Sequence, residues 1–311
     1  MSAELPDGLK TESSQADRRL QLPVFMAAQR HWTIGDVLAI APLLGEQSGQ
    51  TAVRASRTAV DETVVDAAVQ SFRYAHGLVS AQDCLTWLAA RVVSFGELRA
   101  SLRRRLAGVK ANTEVESQID FLLADDFRST ARALAVRVAA AHEAQLCLDA
   151  ALTHLWAPME ANYQAHLAAA ITDEMRDRQL AQDRRLWLQV DCDVLEFDRI
   201  DAAREARHCV LDDGQSLAEI AQLGGFAFRS GRWWVSELPG TWAQALFQIR
   251  PGLVSAVITE GERQLLLGFT RLIEPNRADP LLAARLEASL VEQQAGVLLT
   301  RHVQWTLAGL Q

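Results

Sequence analysis

Seven histidines and four cysteines are the residues of this chain best suited to acid–base or nucleophilic chemistry. His208 draws attention first, because the stretch AREARHCVLDDG sets it after Arg204 and Arg207 and before Asp212 and Asp213. An imidazole near carboxylates can move protons at neutral pH if the fold turns it into a pocket. On the outer face of a helix the same His208 would be a solvated passenger. Cys84, Cys147, Cys192 and Cys209 form no C-x-x-C pair, which predicts neither a zinc site nor a disulfide framework and reads as reduced, mostly buried thiols. Arg99, Arg103, Arg104, Arg105 and Lys110 make a basic cluster able to hold an acidic peptide. A solvated helix C-terminus, favoured by the helix dipole, is the competing reading. The acidic stretches ADD and EMRDR place no carboxylate near a His or Cys at metal spacing, and no G-x-S-x-G, P-loop or dinucleotide fingerprint occurs. Neither a metal nor a cofactor is expected.

These residues must be positioned by a chain of 311 residues, long enough for two domains, and 49% apolar content can supply two cores. Lysine and arginine total 31 against 39 acidic residues, a net charge of -8, so nothing draws the chain to nucleic acid or to an anionic membrane. No window reaches the roughly 18 uninterrupted apolar residues of a membrane helix. The N-terminal MSAELPDGLKTESSQADRRLQLP has no basic segment followed by an apolar one, which leads us to expect a cytoplasmic protein. Residues 1–20 offer too little apolar surface to offset ordering entropy and are expected to lack fixed structure.

From about Leu22 to Trp187 apolar residues recur at three and four, which predicts an all-helical half. Thr33 with Asp36, Ser80 with Asp83 and Ser94 with Glu97 are spaced as helix N-termini. A long helical segment is expected from about Thr113 past Tyr163, broken or kinked at Pro158. Near Val190 the texture changes. QVDCDVLEF, GRWWVSEL, VSAVIT and RQLLLGFTRLI read as strands, with helices near Ile200–Val210, Ser216–Gln222 and Thr241–Ile249. Asp279 and Pro280 then open a helix with Leu282, Leu286 and Leu290 on one stripe, predicted to return to the N-terminal helices.

The stretches DDGQSLAEIA and LPGTWAQALFQIRPGLVSAVITEG resemble a parvulin-type, PpiC-related prolyl isomerase domain over Val190 to Pro275. The plan of helical domain, parvulin-like domain and returning helix resembles SurA-type chaperones. The resemblance implies a strand carrying a first active-site histidine, a helix of about fifteen residues, a Gly, a short helix and a closing strand with a second histidine. Only five residues separate His208 from Gly214, so VLEF is the strand and His208 lies on the outer side of the helix after it. Asp193, give or take a residue, then takes the first histidine position, opposite Arg263, and no histidine lies between His208 and His302. The member is therefore degenerate, with no catalytic residue expected. Where the resemblance implies a proline pocket, the chain has Leu238 and Trp242, with Phe247 following. Trp242 either lines that pocket or plugs it. Trp233 and Trp234 point to opposite strand faces, and one of them is expected to be exposed.

The expected fold class is a two-domain α+β protein. It has a disordered tail over 1–20, an all-α helical domain over 21–188, a parvulin-like domain over 189–277 and a C-terminal helix over 278–308 packing on the helical domain. Expected function is non-catalytic peptide binding through Trp234, Leu238, Trp242, Phe247, Arg103 and Arg104. A weak residual isomerase is the alternative, and a structural subunit plugged by Trp242 is a third class. The stretch VVDAAVQSFRYAHGLVSAQDCLTWLAARVVSFGELRASLRRRL further resembles parvulin-related proteins of ribosomal peptide maturation systems. That resemblance implies a precursor peptide as partner, and peptide-tailoring enzymes beside it.

Overall fold

The computed structural model describes residues 15–44, 60–148, 152–182, 184–307 and 310. By compactness the chain divides into two units, one of Met1–Ala170 with Gln293–Gln311 and one of Ile171–Glu292.

The first unit begins with β1 (Pro23–Ala27) and β2 (Arg30–Thr33) and continues as helices: α1 (Ile34–Ile40), α2 (Glu62–Ala75), α3 (Ala81–Ala89), α4 (Phe95–Leu106), α5 (Glu114–Leu122), α6 (Asp125–Glu143) and α7 (Leu152–Ala170). The three expected helix starts are reciprocal capping boxes, in which Thr33, Ser80 and Ser94 each cap the third helical amide and receive a carboxylate in return. This unit is not all helical. β1 lies between β2 and β8 (Gln304–Trp305) in an antiparallel sheet, so the last residues of the chain pair with almost the first. Phe25 stacks on Trp32 and meets Trp305 edge-on at 5.5 Å, which explains why PVFMA is a buried strand despite its helical neighbours. The expected tail is also too long. Residues 15–20 are helical, and the buried Arg19 donates to the Val92 carbonyl at 2.7 Å and to Glu97 at 3.1 Å, while residues 1–14 lie outside the described residues. The long segment after Thr113 is three helices, with breaks at Leu123–Ala124 and after Glu143, where Gln145 adopts a φ of 58°. Pro158 lies inside α7 without ending it.

The second unit opens with α8 (Asp173–Gln182). Then follow β3 (Gln189–Phe197), α9 (Ile200–Asp213), α10 (Leu217–Gly224), β4 (Ala227–Trp234), α11 (Gly240–Phe247), β5 (Leu253–Val254), β6 (Ile258–Glu260) and β7 (Arg263–Ile273). Its antiparallel sheet has the order β4-β3-β7-β5, with β6 on β7. Strand, long helix, short helix, strand, short helix and closing strand follow the succession expected of a parvulin-like domain. Gly214, at φ 71°, closes α9 in the left-handed conformation that glycine takes at little cost. Both faces of β3 are buried: Leu195 and Phe197 against α9 and α10, and Val190, Cys192 and Val194 against α11.

The helix α12 (Pro280–His302) begins in this unit and ends in the first. Its Leu282, Leu286 and Leu290 pack with Ile171, Trp187 and Trp234, so the compact α+β unit is wider than 189–277. At its far end, Glu143 of α6 takes Arg301 at 2.8 Å and His302 at 2.7 Å.

Candidate functional site

The site implied by the parvulin resemblance lies on the face of the sheet covered by α11. Strand alternation delivers Val190, Cys192 and Val194 to that face from β3, and Leu265, Leu267 and Phe269 from β7. α11 adds Trp242 and Leu246, and Trp233, Val235 and Leu238 close the margin. Trp242 is 7% exposed, and its indole N–H donates to Glu260 Oε1 at 2.6 Å. Trp242 therefore seats as a core residue with its one polar group satisfied, and the side chains clustered with it are apolar. Burial, with Asp193 and Asp191 adding to it, pushes the Cys192 thiol up to about 11, so it stays protonated at neutral pH and is no nucleophile there.

Asp193 is one residue out of phase with this face. It pairs across β7 with Gly268, where a Cβ would meet Leu217 of α10, on the opposite side of the sheet from Trp242. Arg263 does not oppose it. Arg263 pairs with Glu260 and bonds to Glu196 at 3.2 Å. The period of two is the reason: a shift of one residue moves a side chain to the other face, and the positions flanking Asp193 on the α11 side are Cys192 and Val194. His208 lies on the exposed side of α9, 3.4 Å from Asp212 one turn on, while Ala203 and Ala206 form the buried stripe. It is the passenger that its spacing to Gly214 predicts.

The six residues expected to hold peptide fall in separate places. Leu238 and Trp242 share the core just described. Phe247, at the end of α11, is 56% exposed. Trp234 packs with Trp187 and Leu286, and the guanidinium of Arg285 lies 4.6 Å above its ring. Arg103 and Arg104 belong to the other unit and are already neutralised: Arg103 by Glu62, and Arg104 by Glu116 at 3.2 Å and Asp120 at 2.8 Å. A cleft of about 250 Å³ beside α8, lined by Asp173, Arg176, Arg277 and Leu286, likewise has its arginines paired, with Asp173 taking both.

A charged ladder also crosses the sheet. On one face Asp191 of β3 receives Arg232 of β4 at 2.9 Å and Arg271 of β7 at 2.7 Å; on the other, Glu196 takes Arg229 and Arg263. The hydrogen bond from Arg232, with that from Arg271, holds the Asp191 carboxyl below its ordinary value. A signal was present in the sequence, since DCDVLE and RSGRWW carry opposite charges on strands expected to be neighbours.

No protein-family model matches the chain, and no curated protein matches it. Among solved structures it is similar to the foldase protein PrsA of Streptococcus pneumoniae, with 13% identity over 95% of this chain and 86% of that one and a TM-score of 0.35. PrsA of Lactococcus lactis gives 13% over 91% and 94%, with a TM-score of 0.32. A structure of the SurA-like chaperones PEB4 and Cj1289 of Campylobacter jejuni gives 12% over 90% and 94%, with a TM-score of 0.27. At such identities and TM-scores the likeness assigns neither a family nor an activity to this chain.

Proposed function

We propose that this protein is a non-catalytic, chaperone-like peptide binder whose parvulin-like unit does not isomerise. One observation carries the reading: the face where the resemblance implies paired imidazoles is filled by Cys192, Val194, Leu265, Leu267 and Trp242. Twisting an X-Pro amide over a barrier of about 18–20 kcal/mol needs polar groups that orient and polarise it, whereas on this face the indole N–H is given to Glu260 and the Glu196 carboxylate, at the end of β3, is taken by Arg229 and Arg263. The peptide is a precursor in a ribosomal peptide maturation system, held in extended form for tailoring enzymes. The cytoplasm is the proposed location, supported by four cysteines that form no disulfide. Phe247, exposed at the end of α11, remains an apolar contact in this reading, whereas Trp242 and Leu238 hold the face shut.

Calorimetric titration with precursor peptides encoded beside the gene, and with an unrelated reduced and unfolded polypeptide, tests it. Saturable binding of the precursors is expected. Heat indistinguishable from dilution with every extended peptide would contradict it.

A further inference from the structure

The sheet order leaves β4 at a rim. The Val235 amide donates to the Leu188 carbonyl at 3.0 Å, so Leu188 and Val235 form a hydrogen-bonded pair one step beyond the non-bonded pair of Gln189 with Trp234. Bonded and non-bonded pairs alternate in antiparallel sheets. Arg229 and Gly231 therefore bond inward to β3, while Phe228, Ser230 and Arg232 turn both N–H and C=O outward. Among the described residues no strand pairs with that rim and no loop bond reaches it.

Exposed edges of this kind are usually blunted by lysine, proline, a bulge or shortness. β4 is neither short nor bulged: it runs eight residues in unbroken register with β3 and contains neither Pro nor Lys, its charges being Arg229 and Arg232. The opposite rim is broken into β5, of two residues, and β6, of three. Flanking the β4 rim, Arg229 stands on one face and Arg232 on the other, with side chains 60% and 41% exposed. The strands β3, β4 and β7 carry four arginines against three carboxylates, within a chain of net charge -8.

We propose that β4 captures an extended acidic peptide as an added strand. The outward groups of Phe228, Ser230 and Arg232 hold its backbone, and Arg229 and Arg232, each of which shares its single carboxylate, Glu196 or Asp191, with a second arginine, receive peptide carboxylates on alternate faces. This rests on the peptide-binding reading above and supplies its site. A second copy of the chain fits less well, because β4 against β4 would bring arginines of like charge together.

The test uses a short synthetic peptide of valines and threonines with two glutamates three residues apart, so that as a strand it turns one carboxylate to each face, titrated into the full chain and into Ser230→Pro. Proline removes only an outward amide, so the pairing with β3 persists while the rim is blocked. Native circular dichroism with affinity reduced about tenfold is expected, and the same peptide N-methylated at alternate amides should lose a similar factor on the unaltered chain. A native Ser230→Pro that binds as tightly as its parent overturns the proposal. If that variant fails to fold, undiminished binding of the methylated peptide overturns it instead. A dimer in sedimentation equilibrium that Ser230→Pro dissolves would mean that a second copy occupies the rim, which also overturns it. Precursor peptides that bind regardless of these changes would sink the rim and leave the peptide-binding reading standing; no binding by any extended peptide would sink both.

Discussion

Two regions of one sheet, a few ångströms apart in the ladder, are built to opposite ends. The α11 side is closed: Trp242 and its apolar neighbours fill the space where a prolyl isomerase would keep polar groups, and the Trp242 indole N–H is satisfied by Glu260. The β4 rim is open, with backbone groups facing outward and arginines beside them. On the reading proposed here, the same scaffold gives up side-chain chemistry on a face and keeps the recognition of a main chain at its edge. Face chemistry depends on two or three specific side chains, whereas edge recognition depends on backbone that any sequence supplies.

The comparison can be broken from either side. The largest effect should come from Trp242→Ala, which opens a cavity in the closed region and should cost about 3–5 kcal/mol, read as a lowered midpoint in urea. A loss under about 1 kcal/mol would mean that the face is loosely packed and accessible. Next comes amide exchange along β4 in the free protein. Arg229 and Gly231 should exchange at least about a hundredfold more slowly than Ser230 and Arg232, and an added acidic peptide should slow the fast pair. Uniform protection would show that the rim is already covered. A smaller effect is expected from salt: raising ionic strength from about 0.05 to 0.5 M should weaken the acidic peptide several-fold and leave a neutral analogue unchanged. Equal behaviour of the two peptides would remove the arginines from recognition.

The smallest effect concerns Asp191, whose carboxyl is held below its ordinary value by the hydrogen bond from Arg232, with Arg271 adding to it. A depressed carboxylate contributes fully above its unfolded value, about 3.9, and the contribution is lost as pH falls through the lower folded value. Asp191→Asn should therefore cost about 0.5 kcal/mol at neutral pH, with the gap to the parent closing in acid. A gap independent of pH would assign the loss to packing.

Much of this architecture is legible in the sequence because its signals are local. Reciprocal spacing at Thr33, Ser80 and Ser94 marks helix starts, Pro280 marks another, and the distance from His208 to Gly214 sets the imidazole on the outer side of its helix. What the sequence hides is long-range or depends on parity. The strand PVFMA needs Gln304 and Trp305 from the far end of the chain, and over five residues a period of two is hard to tell from one of 3.6. Asp193 misses the α11 face by one residue, the smallest error a strand allows and a decisive one. The arginines at 103 and 104 look free until Glu62, 41 residues from Arg103, and Asp120 fold against them.

The central claim, that peptide is bound without being isomerised, is tested most directly by one sample carried through two readouts. The full chain is titrated with a proline-containing precursor peptide, and the cis-to-trans rate of that peptide is then followed by exchange spectroscopy at saturating protein. The account predicts saturable binding with an isomerisation rate no faster than in buffer. A rate rising in proportion to protein concentration would contradict it, and would mean that the face closed by Trp242 opens to do chemistry.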